Sequence, residues 1–200
     1  MNRAITGVIL AGGLNSRFNG RDKSQLNIGG QRILDRLLGI FSDFFDDNIL
    51  VTNEPLRYLD RDVKIVTDIL PVRSSLTGLH TGLFYARHPY IFLTACDTPF
   101  LKREMVELII ANIEAETDIV MPKTSAGMEP LCAAYSKNCL APAERHLRQE
   151  KLKIQLALRR CRTKTISESA LRSVDPELLS FFNVNTPEDM LKAQELAGTL

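Results

Sequence analysis

The sequence carries almost no net charge: Lys and Arg total 25, Asp and Glu 24, and the formal balance is +1. It therefore has no global basic surface to offer a nucleic-acid backbone and no acidic tail, so any anion site must be local. Long apolar runs are also missing. The apolar part of the N-terminal MNRAITGVILAGG is too short to span a bilayer, no cleavage pattern follows it, and no later stretch is long enough. A cytoplasmic protein without membrane or nucleic-acid partners is the expectation. Cysteine is sparse. Cys96, Cys132, Cys139 and Cys161 form no Cys-x-x-Cys pair, and His80, His88 and His146 do not stand at zinc-ligand spacing beside them. Reduced, structural thiols are expected. With no internal repeat, low-complexity tract or Pro/Gly/Ser-rich linker, the 200 residues read as one domain, 1–200, long enough to bury a core.

What is present alternates. Ala4 to Leu10 is an apolar, β-branched run ending in glycines, which predicts a buried strand. Ile33 to Phe45 places Ile33, Leu34, Leu37, Leu38, Phe41, Phe44 and Phe45 at helical spacing on one wide face. Strands are predicted at Asn48 to Thr52, Val63 to Thr67, Tyr90 to Ala95, Asp118 to Pro122, Leu131 to Tyr135 and Arg162 to Ile166. Helices are predicted at Gly78 to Arg87, Arg103 to Ile113, Leu140 to Leu147, Ile154 to Leu158 and from Pro187 onward, the last with Thr186 as N-cap. This alternation predicts an α/β fold: a mostly parallel twisted sheet with helices on both faces. His80 reads as a satisfied helix residue, His88 before Pro89 as a turn residue, and Phe181 with Phe182 as core.

In such sheets ligands bind at the carboxyl ends of the strands. The polar and glycine-rich residues fall there: Gly12, Gly13, Arg17, Asp22 and Lys23 after the first strand, Asn53 after the second, Asp68 after the third and Asp97 after the fourth. Glycines let backbone N–H groups approach an anion, and Arg17 and Lys23 add positive charge, which suits a polyphosphate. The P-loop is excluded because Asp22 stands where it needs glycine, and the dinucleotide fingerprint because the glycines are adjacent. Asp97 ends an apolar strand, where it could hold Mg²⁺ together with phosphate oxygens or simply cap a turn. Asp68 could meet a base or sugar hydroxyl, or cap a turn before Pro71.

The run LAGGLNSRFNGRDKSQL at Leu10 to Leu26 resembles the signature of the molybdenum cofactor guanylyltransferases. ACDTPFL at Ala95 to Leu101, EPLCAAY at Glu129 to Tyr135 and FFNVNTPEDM at Phe181 to Met190 resemble that family's later motifs, in order. The resemblance implies a Rossmann-like nucleotidyltransferase fold that moves GMP from GTP to molybdopterin with Mg²⁺. It also implies molybdoenzyme apoproteins or their chaperones as possible recipients. Leu10, Ala11, Gly12 and Gly13 would hold the nucleotide, and Arg17 and Lys23 would face the phosphates. Asp68 would contact the nucleoside side, and Asp97 would bind metal and nucleotide. A family asparagine aligns with Thr52 or Asn53, while Lys153, Asn183 and Asn185 match the pterin side. Three departures are visible: Phe18 and Asn19 replace a Met-Gly pair, Ser74-Ser75-Leu76-Thr77-Gly78 replaces Gly-Pro-Leu-Ala-Gly, and Glu150 replaces a glycine before the late helix, where only Lys153 keeps a basic charge in register. A cytidylyltransferase and a non-catalytic binding module are the alternative readings.

Overall fold

The computed structural model describes residues 5–12 and 26–198. Strand β1 (Ile5–Leu10) is buried along its whole length, because it runs through the middle of the sheet. A short hairpin follows, β2 (Asn27–Ile28) and β3 (Gln31–Arg32), turning through Gly29 and Gly30 at φ 61° and 82°. That left-handed pair is the geometry of a tight two-residue hairpin turn. Then come α1 (Ile33–Phe44), β4 (Asp47–Val51), β5 (Lys64–Val66), α2 (Ser75–Tyr85), β6 (Tyr90–Ala95) and α3 (Arg103–Ala111). The second half holds β7 (Ile119–Thr124), β8 (Gly127–Met128), β9 (Cys132–Ser136), α4 (Leu140–Leu147), α5 (Ile154–Ala157), β10 (Thr163–Ile166), α6 (Glu168–Val174) and α7 (Pro187–Ala197).

The sheet order is β10-β7-β9-β6-β1-β4-β5, with β8 beside β7. β1 pairs in parallel with both β4 and β6, β4 with β5, and β7 with β10. β9 runs antiparallel between β6 and β7. The expectation of a mostly parallel sheet therefore holds. The chain leaves β1 for β4 and β5 on one side, then returns to place β6 on the other. That reversal opens a crevice at the carboxyl ends of β1 and β6.

Alternation along β1 splits the core in two. Ile5 and Ile9 pack with α1, α3, α6 and α7 residues such as Leu37, Met105, Leu171 and Ala193. Val8 and Leu10 pack with α2, α4 and α5 residues such as Leu79, Leu147 and Ile154. Helices thus cover both faces. Among the described residues no helix is long and apolar enough to cross a membrane.

α2 starts at Ser75, three residues before the predicted Gly78, because Ser74 caps it by accepting the Thr77 N–H at 3.1 Å. Its two glycines face β1: a Cβ on Gly78 would lie 2.9 Å from Leu10, and one on Gly82 2.7 Å from Val8. The helix can therefore sit directly on the central strand. At the other end of the chain Thr186 caps α7, with Asp189 completing a capping box, as the sequence predicted.

His80 is buried on α2, but its Nδ1 finds no hydrogen-bond partner among the described residues, so the expectation of a satisfied ring is corrected. Burial holds its imidazole below the ordinary histidine value. Glu144 on α4 and Asp68 oppose this effect, and Arg148 adds to it. The unfolded chain therefore binds the proton more readily than the folded one. The contribution to stability is complete above about pH 6.5 and is lost as the pH falls toward the lowered native value. Thermal melts of wild type and His80→Gln between pH 7.5 and 5.5 should show a shallower decline for the variant. Parallel declines would reject the assignment.

Candidate active site

The end of β1 is held from both sides. Leu10 O accepts the Cys96 N–H at 3.0 Å, and Ala11 N–H donates to Val51 O at 2.8 Å. Gly12 follows, exposed, and a Cβ built on it would meet nothing within 4 Å among the described residues. Among the described residues, nothing packs over Gly12 at the carboxyl edge. Gly13, Arg17 and Lys23 lie outside the described residues.

On the β4 and β5 side, Thr52 is buried. Its N–H donates to Val66 O at 2.9 Å, and its hydroxyl accepts the Glu54 N–H at 3.1 Å. Asn53 is the neighbour whose side chain reaches across the edge. Its Nδ2 donates to Asp68 Oδ2 at 2.7 Å, and its Oδ1 accepts the Asp68 N–H at 3.4 Å. The other Asp68 oxygen lies 3.5 Å from the buried Thr81 hydroxyl on α2. Asp68 is therefore oriented by two elements and does not act as a simple turn cap. Thr81 is a site neighbour that sequence reasoning missed; its signal was the Thr77/Thr81 spacing beside Gly78 and Gly82.

Asp97 stands in the turn after β6, half-buried. It does not cap a helix, because α3 begins at Arg103 with Lys102 at its N-cap. Beneath it Thr98 is fixed: its hydroxyl donates to Ala95 O at 2.7 Å and lies 3.1 Å from the Thr94 hydroxyl. Arg36 Nη1 reaches the Pro99 carbonyl at 3.2 Å. The Asp97 carbonyl accepts the Val184 N–H at 2.9 Å, which brings Asn183 and Asn185 to the Asp97 turn.

Lys153 lies elsewhere. It is exposed at the start of α5 and lines a groove of about 390 Å³ with Ser74, Pro130, Leu131, Leu152 and Gln155. β9 is antiparallel, so Pro130 and Leu131 before it lie at the carboxyl edge beyond the end of β6. The structure thus separates the three residues the sequence grouped: Lys153 goes with the groove, the two asparagines with Asp97. Glu129, just before the groove, has its carboxyl pushed above the usual range by burial, against a lowering hydrogen bond from the Thr124 hydroxyl at 3.3 Å.

A doubly wound sheet with glycine after its first strand and a carboxylate after the strand beside it is the architecture of an α/β nucleotidyltransferase. The chain belongs to the MobA-like NTP transferase family, whose domain matches residues 7–165. It is 46% identical over 191 residues to the molybdenum cofactor guanylyltransferase of Desulfosudis oleivorans, covering 96% of this chain and 95% of that one. A probable molybdenum cofactor guanylyltransferase of Natranaerobius thermophilus is 36% identical over 203 residues, with 99% and 98% covered. The crystal structure of the molybdopterin-guanine dinucleotide biosynthesis protein A of Archaeoglobus fulgidus superposes with a TM-score of 0.86 at 27% identity, covering 98% of this chain and all of that one.

Proposed function

We propose that this nucleotidyltransferase transfers GMP from GTP to molybdopterin, forming a guanine dinucleotide of the cofactor and pyrophosphate. The observation that carries the reading is the seating of Asp97 and Gly12 on neighbouring strand ends, tied by the Cys96–Leu10 hydrogen bond. The relatives that bear the guanylyltransferase name match nearly the whole chain, which supports extending their activity to it.

In this reading Leu10, Ala11 and Gly12, with Gly13, present backbone to the nucleotide. Asn53 and Asp68 face the nucleoside, with Thr52 beneath them. Asp97 is a single hard oxygen donor at a strand end. That suits Mg²⁺, which takes one or two carboxylates and fills its remaining positions with phosphate oxygens and water. Bound there, the ion supplies Lewis-acid neutralisation of phosphate charge. The acceptor phosphate lies toward the groove, with Lys153 as its cation, and Asn183 and Asn185 stand at the Asp97 turn.

An acceptor phosphate oxygen attacks the α-phosphorus of GTP, and the bond to the bridging oxygen of the β-phosphate breaks. The attacking oxygen is already anionic, so the chain's work is alignment and charge neutralisation. Arg17 and Lys23 offset charge on the departing pyrophosphate. We take residues 1–200 as one catalytic unit, working in the cytoplasm and passing its product to molybdoenzyme apoproteins or their chaperones.

Calorimetric titration with the four nucleotides and Mg²⁺ checks the base. GTP is expected to bind at least about tenfold more tightly than CTP, a difference of roughly 1.4 kcal/mol. Tighter magnesium-dependent binding of CTP would assign the chain to cytidylyl transfer instead.

A further inference from the structure

Two segments distant in sequence meet beside Asp97 and are joined at successive levels. Val184 N–H donates to the Asp97 carbonyl at 2.9 Å. The rings of Phe100 and Phe182 lie 5.9 Å apart. Lys102 N–H donates to the hydroxyl of the fully buried Ser180 at 3.1 Å. At the base of this seam lies Asp175, whose side chain has no exposed surface. One of its oxygens accepts the Ser180 N–H at 2.8 Å, and the other pairs with Lys102 Nζ at 2.9 Å. A single carboxylate thus grips both segments.

Burying a carboxylate is costly, and an apolar side chain could fill such a space without that penalty. Here burial raises the Asp175 carboxyl's pKa, but the Ser180 N–H and the Lys102 ammonium outweigh it and leave the group below its usual range. The turn it closes is also strained. Leu178 sits at φ 54°, left-handed backbone that a leucine disfavours, with its N–H on the Asp175 carbonyl at 2.9 Å. Strain of this kind persists where the surroundings over-determine the conformation.

We propose that Asp175 is a positioning residue for nucleotidyl transfer: by gripping Lys102 and Ser180 it sets residues 180–185, and with them Asn183 and Asn185, against the Asp97 turn. It touches no reacting atom; it acts through the seam. The kinetic consequence rests on the guanylyl-transfer reading, whereas the structural consequence does not.

The test uses Asp175→Asn and Lys102→Met in the full chain, with two readouts. In hydrogen exchange the Val184 amide should exchange about tenfold faster than in wild type while amides of β1 and α2 keep their protection. In turnover of GTP with molybdopterin, kcat should fall about tenfold to a hundredfold, as for a small misplacement near the chemistry, with KM for GTP near its wild-type value. Lys102→Met changes a side chain that is 34% exposed, so it carries the test if Asp175→Asn fails to fold. Exchange that rises equally at every amide, or folded variants with unchanged kcat, would overturn the proposal. Wild-type protein inactive with GTP would reject the guanylyl-transfer reading instead, and the exchange comparison would still decide on Asp175.

Discussion

Replacing Asp97 with alanine is expected to cut pyrophosphate release by about a hundredfold or more while the protein stays folded. The two halves of this expectation have separate physical grounds. Folding has support that alanine keeps: the link to the 180–185 segment runs through the Asp97 backbone carbonyl, and Thr98 is fixed by its own bonds to Ala95 and Thr94. Truncation to alanine removes the carboxylate and none of these bonds. Catalysis does lean on it, because Asp97 is the proposed protein ligand for the metal. Losing one charged contact that stabilises the transition state costs about 3 kcal/mol, roughly a hundredfold in rate. Asp97→Asn keeps the size and removes the charge, so it should be nearly as inactive. The check is pyrophosphate release beside a thermal melt. Near-normal release by folded Asp97→Ala would sink the assignment of this strand end as the catalytic edge.

Gly7→Ala should be the most damaging small substitution in the core. Gly7 lies in the middle of β1, paired with Asn48 on one side and Phe92 on the other. A Cβ there would stand 2.4 Å from Asn48 Oδ1 and 2.6 Å from ring atoms of both Phe41 and Phe45. Those rings cannot simply swing away. Phe41 packs edge-on against Phe45 at 5.1 Å and against Phe92 at 5.7 Å, and all three are buried. Overpacking a dense aromatic cluster of this kind costs about 3 kcal/mol. For a chain of this size that corresponds to roughly 10 °C in Tm. Since β1 leads into Gly12, residual folded protein should also bind nucleotide less well. An unchanged Tm for Gly7→Ala would show that α1 packs on β1 less closely than described.

The elements that were legible in sequence are those with a local cause. β6 and α4 fall on their predicted residues, and β1 within one, because apolar runs and helical spacing need no distant partner. The β2–β3 hairpin and α6 went unread. The hairpin is two residues a side, and α6 has seven residues with Leu171 alone fully buried, so neither carries a pattern long enough to recognise. That β9 runs antiparallel was also hidden, since strand direction leaves no mark in a short apolar run. The candidate site divides the same way. Strand-end residues Asn53, Asp68 and Asp97 were legible from the rule that ligands gather at carboxyl ends. The joining of Asn183 and Asn185 to Asp97, and the grip of Asp175 on both segments, depend on contacts across about eighty residues of chain and become visible only in the fold.

Transfer of a guanylyl group onto molybdopterin can be followed directly. The most direct measurement supplies GTP labelled at its α-phosphorus, together with molybdopterin and Mg²⁺, and follows the label. The label is expected to enter the cofactor product in step with pyrophosphate release, with both dependent on the acceptor. Label that stays in GTP, appears as free GMP, or transfers only from CTP would contradict guanylyl transfer to molybdopterin.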